Sequence, residues 1–200
     1  MNETVLSRFR EQIIEAGKQN QVLSIQGGNT KSWYGNPSQS PILSTTSYQG
    51  ILDYQPEELV ITACAGTPIA EIESTLAKKN QILPFEPPHF GDDATFGGVI
   101  AAGLAGSARI SAGNLRDFVL GTRLMDGRGE DLSFGGKVMK NVAGYDVSRP
   151  LPGGGNLTGE SRDIQWGWNP VGGASSYDSG VTPNYLVTTA SLGTVSVLLS

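Results

Sequence analysis

The residues best suited to chemistry lie at 24–35, SIQGGNTKSWYG. A short apolar stretch runs into Gln26, Gly27 and Gly28. Asn29, Thr30 and Lys31 then add an amide, a hydroxyl and an ammonium group. Successive N–H groups in a turn without Cβ atoms converge on one point, which is what a pyrophosphate requires. The same letters also spell an ordinary Gly-Gly turn. A second stretch, DATFGGVIAAGLAG at 93–106, pairs Gly97 with Gly98 among small apolar residues. Its glycines would let the backbone approach a flat ligand closely. Read in isolation, it is equally a Gly/Ala segment that packs between helices.

Other chemistries find less support. No GxGxxG follows a strand and no GxxxxGK[ST] occurs, which disfavours Rossmann and P-loop readings. His89 is the single histidine and follows Pro87 and Pro88, a setting that suits a structural role better than a site beside a cofactor. A Ser-His-Asp arrangement is not supported, and no metal-ligand spacing appears. Asp92 and Asp93 read as loop-capping residues rather than a catalytic dyad. Arg116 and Asp117 read as a fold-holding ion pair, and Cys64 as an inert core thiol.

Composition narrows the classes further. Glycine is the outlier at 27 of 200 residues, and without a collagen period it suggests close backbone approaches or a flexible segment. A net charge of −5 argues against a nucleic-acid partner, which needs a basic face. One cysteine excludes an internal disulfide and a cysteine-based metal site, and fits a reducing cytoplasmic setting. Charged residues from Arg8 to Lys18 interrupt any signal-peptide core, and the apolar run Val99 to Ala108 is too short to span a bilayer.

The elements that must position these residues follow from periodicity. Val5, Leu6, Phe9, Ile13 and Ile14 predict an amphipathic helix over 4–17, and 22–25 a short strand. Residues 59–63 predict a buried strand. A helix follows, with Thr67 as N-cap, Pro68 at its first position and a face of Ile69, Ile72 and Leu76; Ile82 and Leu83 would be the next strand of a βαβ-like unit. Val119-Leu120 and Arg123-Leu124-Met125 lead into the turn Asp126-Gly127-Arg128-Gly129, and 131–134 would pair back as a hairpin. Character changes at Pro150: residues 150–189 are rich in Gly, Pro, Ser and Asn.

Four blocks in order carry a resemblance. They are IQGGNTKSWYG, EPPHFGDDATFGGVIAAGLAG, GNLRDFVLGTRLMDGRGE and FGGKVMKNVAGYDVSR. Together they resemble the FAD-binding domain of the vanillyl-alcohol-oxidase/para-cresol-methylhydroxylase (PCMH-type) superfamily. Within it they are closest in wording to the E-type, FAD-binding subunits of bacterial glycolate oxidases (dehydrogenases). The resemblance covers about residues 1–149. It implies an α+β fold of two α/β subdomains with FAD between them and a break near residue 85. Gln26, Gly27, Gly28, Asn29, Thr30 and Lys31 would wrap the pyrophosphate. Thr95, Gly97, Gly98 and Gly103 would line the isoalloxazine and ribityl side, with Gly113 on the same wall and Pro88 also at the cofactor. Some relatives attach flavin through a histidine in the first Gly-Gly loop; Asn29 stands there here, which implies non-covalent FAD.

The implied activity is oxidation of glycolate or a similar 2-hydroxy acid, with hydride passing to flavin and electrons onward to an iron–sulfur or quinone partner. Implied partners are a second flavoprotein subunit and an iron–sulfur subunit, in the cytoplasm or at the inner face of the membrane. The alternatives are a non-catalytic structural or electron-relay subunit, or a fragment unable to retain FAD. No catalytic base can be named. The chain reads as truncated relative to the pattern. Residues 150–189 read as an exposed insertion or foreign segment. Residues 190–200, ASLGTVSVLLS, read as a degraded copy of the family's last flavin-wall strand, with Ser196 where glycine is expected.

Overall fold

The computed structural model describes residues 2–34, 38–107, 109–135 and 194–198. The expectations for 150–189, and the block FGGKVMKNVAGYDVSR beyond Gly135, lie outside the described residues. Helix α1, Asn2–Lys18, buries Leu6, Phe9, Ile13 and Ala16, whose spacing puts them on one stripe. Strand β1 (Ser24–Gln26) pairs in parallel with β2 (Ile42–Ser44) to form a small two-stranded sheet. The α1 stripe packs with Leu23, Ile25, Leu43, Tyr48, Cys64 and Met125 into one core.

A five-stranded antiparallel sheet makes the second unit. Its strands are β3 (Ile51–Gln55), β4 (Val60–Cys64), β5 (Val119–Met125), β6 (Asp131–Gly135) and β7 (Thr194–Leu198), in the order β3-β4-β7-β5-β6. All five residues of β4 are buried, as a run that is apolar but for Thr62 predicts for an interior strand. Helices α2 (Ile69–Ala77) and α3 (Phe96–Ala102) cover this sheet through Ile69, Ile72, Leu76, Phe96, Val99 and Ile100, which pack with Ile61, Ala63 and Val197. Leu76, Leu83, Phe85 and Ala94 share that cluster, so residues on both sides of position 85 belong to one core. Two four-residue helices, α4 (Arg109–Ala112) and α5 (Leu115–Phe118), lead into β5. The mixed α/β architecture agrees with the expected α+β class.

The β5–β6 hairpin forms as its turn sequence predicts. The Asp126 carboxylate accepts from the N–H groups of Arg128 (2.9 Å) and Glu130 (2.8 Å), and Gly129 takes a positive φ of 76°.

Several local expectations need correction. Pro68, not Thr67, is the N-cap of α2 and supplies no side-chain bond. The Thr67 hydroxyl is engaged upstream: it lies 2.7 Å from the Cys64 carbonyl and 2.9 Å from the Gly50 N–H. Ile82 and Leu83 form no strand, so no βαβ unit forms there. Both neighbours of β4, β3 and β7, run antiparallel to it. Leu83 is buried in the α2–α3 core while Ile82 faces outward, so the apolar pair anchors a loop. Arg116 and Asp117 lie 3.8 Å apart at the surface, each half exposed, where an ion pair contributes about 0–1 kcal/mol. Asp117 instead accepts from the Asn114 N–H (3.0 Å) at the start of α5.

Candidate functional site

Four loops converge where the small sheet meets the large one. The first leaves the end of β1 at Gln26. The second follows β2 and is tied to it, because the Gln26 carbonyl accepts from both the N–H (2.9 Å) and the hydroxyl (3.3 Å) of Thr45. The third follows β4: the Gly66 N–H donates to the Tyr48 carbonyl (2.8 Å). A Cβ on Gly66 would collide with the carbonyls of Thr45 and Tyr48, which makes glycine obligatory there. The fourth precedes α3 and is stitched to the third by Ile69 N–H to Ala94 O (2.8 Å), Phe96 N–H to Thr67 O (2.8 Å) and Gly97 N–H to Ala65 O (2.7 Å).

Between these loops lies a cavity of about 370 Å³. Gln26, Gly27, Gly28 and Asn29 line it from the first loop, with Thr46 and Gln49 from the second. Gly66 and Pro68 contribute from the third, and Asp92, Asp93 and Thr95 from the fourth. The first and fourth loops touch. The missing Cβ of Gly28 is occupied by the Asp93 carbonyl, and that of Gly27 by the Thr95 hydroxyl. Asn29 sits in the left-handed region at φ 58°, so the chain turns sharply past the two glycines. Among the described residues, the N–H groups of Gly28 and Asn29 donate to no protein acceptor, leaving them free for an anion.

The expected site residues divide here. Gln26, Gly27, Gly28, Asn29 and Thr95 line one cavity. Thr30 and Lys31 follow directly on the first loop, where Lys31 Nζ lies 5.8 Å from the centroid of the Phe90 ring. Pro88 is half-buried outside the lining. Gly97 and Gly98 lie inside α3, behind Thr95. A Cβ on Gly97 would meet Ala65 at 2.7 Å, and one on Gly98 would meet the Thr95 hydroxyl at 3.0 Å. Their N–H groups are already engaged, by Ala65 O and by Thr95 Oγ1 at 3.3 Å. Gly103 is the left-handed C-cap of α3 at φ 62°, and Gly113 turns the chain at φ 111° beside Asp117 and Phe118. Neither lines the cavity.

The sequence reading missed Thr46, Gln49, Gly66 and Pro68, which only the meeting of loops brings in. Gly66 carried the one available signal, a glycine placed directly after a buried strand. Asp92 and Asp93 line the cavity, and Thr95 caps α3. His89 Nε2 lies 3.0 Å from Glu73 Oε1 of α2, a structural placement. Cys64 is fully buried, and burial pushes its thiol pKa up, as suits an inert core residue. Among the described residues no cluster of His, Cys, Asp or Glu could hold a metal ion, and no helix is long and apolar enough to cross a membrane.

These donors suit the pyrophosphate of a dinucleotide. The cavity offers uncommitted N–H groups, backbone bare of Cβ atoms, and the polar ends of Gln26, Asn29 and Thr95. Asp92 and Asp93 oppose an anion, but both are exposed at the rim, where water and salt screen them.

Comparison with known proteins points the same way. Residues 9–148 match the family described as FAD binding domain. The chain is 49% identical over 154 residues to glycolate oxidase subunit GlcE of Escherichia coli (strain K12), covering 77% of this chain and 44% of that protein. It is 29% identical over 128 residues to D-lactate dehydrogenase of Archaeoglobus fulgidus, covering 64% of this chain and 28% of that one. It is 30% identical over 103 residues to glycolate oxidase subunit GlcD of Bacillus subtilis (strain 168), covering 52% and 22% respectively. The chain thus spans less than half the length of these curated relatives. Among solved structures, wild-type Phl p 4.0202, a glucose dehydrogenase, superposes with a TM-score of 0.65 at 13% identity, over 98% of this chain and 33% of that one. At that identity the likeness speaks for the fold alone.

Proposed function

Because the chain belongs to the FAD binding domain family, we propose that it is the FAD-binding portion of a glycolate oxidase-type flavoprotein subunit, acting on glycolate or a similar small 2-hydroxy acid. The observation that carries this reading is the four-loop cavity, with Gln26 to Asn29 on one wall and Thr95 on the other. Bound FAD supplies a two-electron acceptor for the hydride of the hydroxy acid, chemistry that belongs to the cofactor.

The chain's own residues do the holding. Gly27 and Gly28 let the first loop close on the fourth, and the free N–H groups of Gly28 and Asn29 bind the pyrophosphate. Thr30 and Lys31 add a hydroxyl and a cation at the edge. Thr95 caps α3 and presents its side to the cavity. Gly97, Gly98, Gly103 and Gly113 act one layer back, keeping α3 and its flanking turns close behind that wall, with Pro88 stiffening the approach to the fourth loop. An amide at position 29 offers no nucleophile for a covalent bond to flavin, so the cofactor is held non-covalently. Electrons would pass to a second flavoprotein subunit and an iron–sulfur subunit, in the cytoplasm or at the inner face of the membrane. Identity to proteins named as glycolate oxidase subunits supports a place among several subunits.

The test is optical. The purified chain should be yellow, acid precipitation should release all the flavin to the supernatant, and anaerobic glycolate should bleach it. A colourless chain that takes up no added FAD rejects the cofactor reading. A yellow chain that glycolate leaves oxidised rejects the substrate assignment and favours an electron-relay role.

A further inference from the structure

Beside the cavity, the first and fourth loops carry a group of side chains that the lining does not include. Lys31 stands two positions after Asn29, and Phe90 two positions before Asp92. Lys31 Nζ lies 5.8 Å from the centroid of the Phe90 ring and 3.5 Å from Thr30 Oγ1. Trp33 packs edge-on against the same ring, with centroids 5.1 Å apart and planes at 84°, and Tyr34 packs against Trp33 at 5.8 Å.

Two features of this group call for a cause. Phe90 is a bulky residue in the left-handed region, at φ 52°, followed by Gly91 at φ 138°. That conformation is unfavourable for a side chain with a Cβ and persists only where surroundings enforce it. Yet the strain buries nothing, for Phe90 remains 53% exposed. Second, among the described residues Lys31 has no carboxylate within ion-pair distance, although Asp92 and Asp93 lie on the facing loop. Partial burial lowers its pKa. A partly desolvated cation without a counter-charge, two positions along the loop from the lining residue Asn29, lacks one partner that a phosphate would supply.

We propose that Phe90 is a positioning residue: its ring, braced by Trp33, holds the Lys31 ammonium at the cavity rim in the free protein, ready to meet the phosphates of the dinucleotide. This rests on the FAD reading above. A free lysine loses its rotamer freedom when it pins an anion. The face of an aromatic ring attracts an ammonium and, with only two side-chain torsions, fixes it at little entropic penalty. Phe90 thereby removes part of that loss before the ligand arrives. The ring itself need not touch FAD.

The experiment is a double-mutant cycle on FAD affinity, with the full 200-residue chain stripped of flavin and titrated with FAD by fluorescence. Thermal melts of the flavin-free proteins verify folding, and the exposure of Phe90 makes Phe90→Leu compatible with it. Phe90→Leu should weaken binding about twofold to fivefold, the range of one exposed cation–π contact. Lys31→Met should weaken it at least as much, and the double variant no further. Phe90→Tyr should restore wild-type affinity. The fall of affinity with salt should be shallower for Lys31→Met, which has lost one phosphate contact. If Phe90→Leu weakens binding equally in the Lys31→Met background, or not at all, the positioning role is overturned while the FAD reading stands. If the wild type takes up no FAD, the FAD reading fails and the proposal falls with it.

Discussion

Two Gly-Gly pairs in this chain look alike in sequence and do different work. Gly27–Gly28 lies in an open turn, with the other loop's Asp93 and Thr95 in the space their side chains would fill and with Gly28 N–H uncommitted. Gly97–Gly98 lies inside α3, its space taken by Ala65 and Thr95 and both its N–H groups already bonded. The first pair keeps donors free by forming no regular structure. The second spends its donors on Ala65 and on the Thr95 cap, and its small size lets α3 sit against Ala65 just beyond β4. A glycine pair therefore suits a ligand only where the backbone around it stays outside the hydrogen-bonded elements.

Substitutions that fill each pair should separate these roles. Gly28→Val places a side chain on the Asp93 carbonyl, forces the first and fourth loops apart, and should abolish FAD retention. The ratio of flavin to protein absorbance after gel filtration reads this directly. Full retention by the valine variant would sink the cradle. Gly97→Ala should act on folding instead. Its new methyl meets Ala65 at 2.7 Å, and overpacking of this kind is worth about 1–3 kcal/mol of lost stability, measured by urea denaturation of the flavin-free chain. Flavin affinity of its folded fraction should change far less than in Gly28→Val; equal losses in both variants would erase the distinction drawn here.

Thr95 belongs to both regions, because its hydroxyl caps α3 and fills the space beside Gly27. Thr95→Ala should cost about 1 kcal/mol through the lost cap, and Thr95→Ser should recover most of it. Weaker flavin binding in the alanine variant only would tie the cap to the cavity wall. Persistent loss in the serine variant would assign the effect to the methyl group.

The smallest expected effect is at Lys31. Burial lowers its pKa, so the folded chain releases this proton at lower pH than the unfolded chain does. The unfolded state then holds the extra proton between the lowered value and the ordinary lysine value of about 10.4, and stability rises with pH across that interval. Flavin affinity should move the other way, falling as the ammonium is neutralised. Lys31→Ala should flatten both trends and weaken binding only modestly, since backbone donors dominate the cradle. Denaturant titrations at several alkaline pH values in the two proteins would reveal any trend that survives the substitution.

The sequence spoke most clearly where one face of an element is apolar. α1, β4, α2 and the β5–β6 hairpin follow from helical or strand periodicity and from an Asp-Gly-Arg-Gly turn. β2 and β3 were silent: β2 has three residues with one buried, and β3 alternates only over Leu52 to Gln55 at a sheet edge, with a register break after Ile51 that leaves Leu52 exposed. Ile82 and Leu83 misled because a two-residue apolar pair carries no period. In the site, the first loop was legible because Gly, Asn, Thr and Lys are contiguous. Thr46, Gln49 and Pro68 were not, because an ordinary Thr, Gln or Pro acquires meaning only when β1, β2 and β4 bring their ends together.

The order of strands in the large sheet has a consequence for how the chain is made. Among the described strands β7 is last in sequence but lies between β4 and β5, so the two hairpins meet through residues 194–198. On the ribosome, β3–β4 and β5–β6 emerge well before the strand that unites them. Until it arrives, β4 and β5 each present an unpaired inner edge, and the β4 edge is entirely apolar but for Thr62. Such edges invite pairing with other chains, and closing them requires contacts across about seventy residues for β5 and more than a hundred for β4, a slow step in folding. The nascent protein therefore passes through an interval in which two strand edges stand open to pairing with other chains, and synonymous codons that slow translation before position 194 should lengthen that interval and lower the soluble yield.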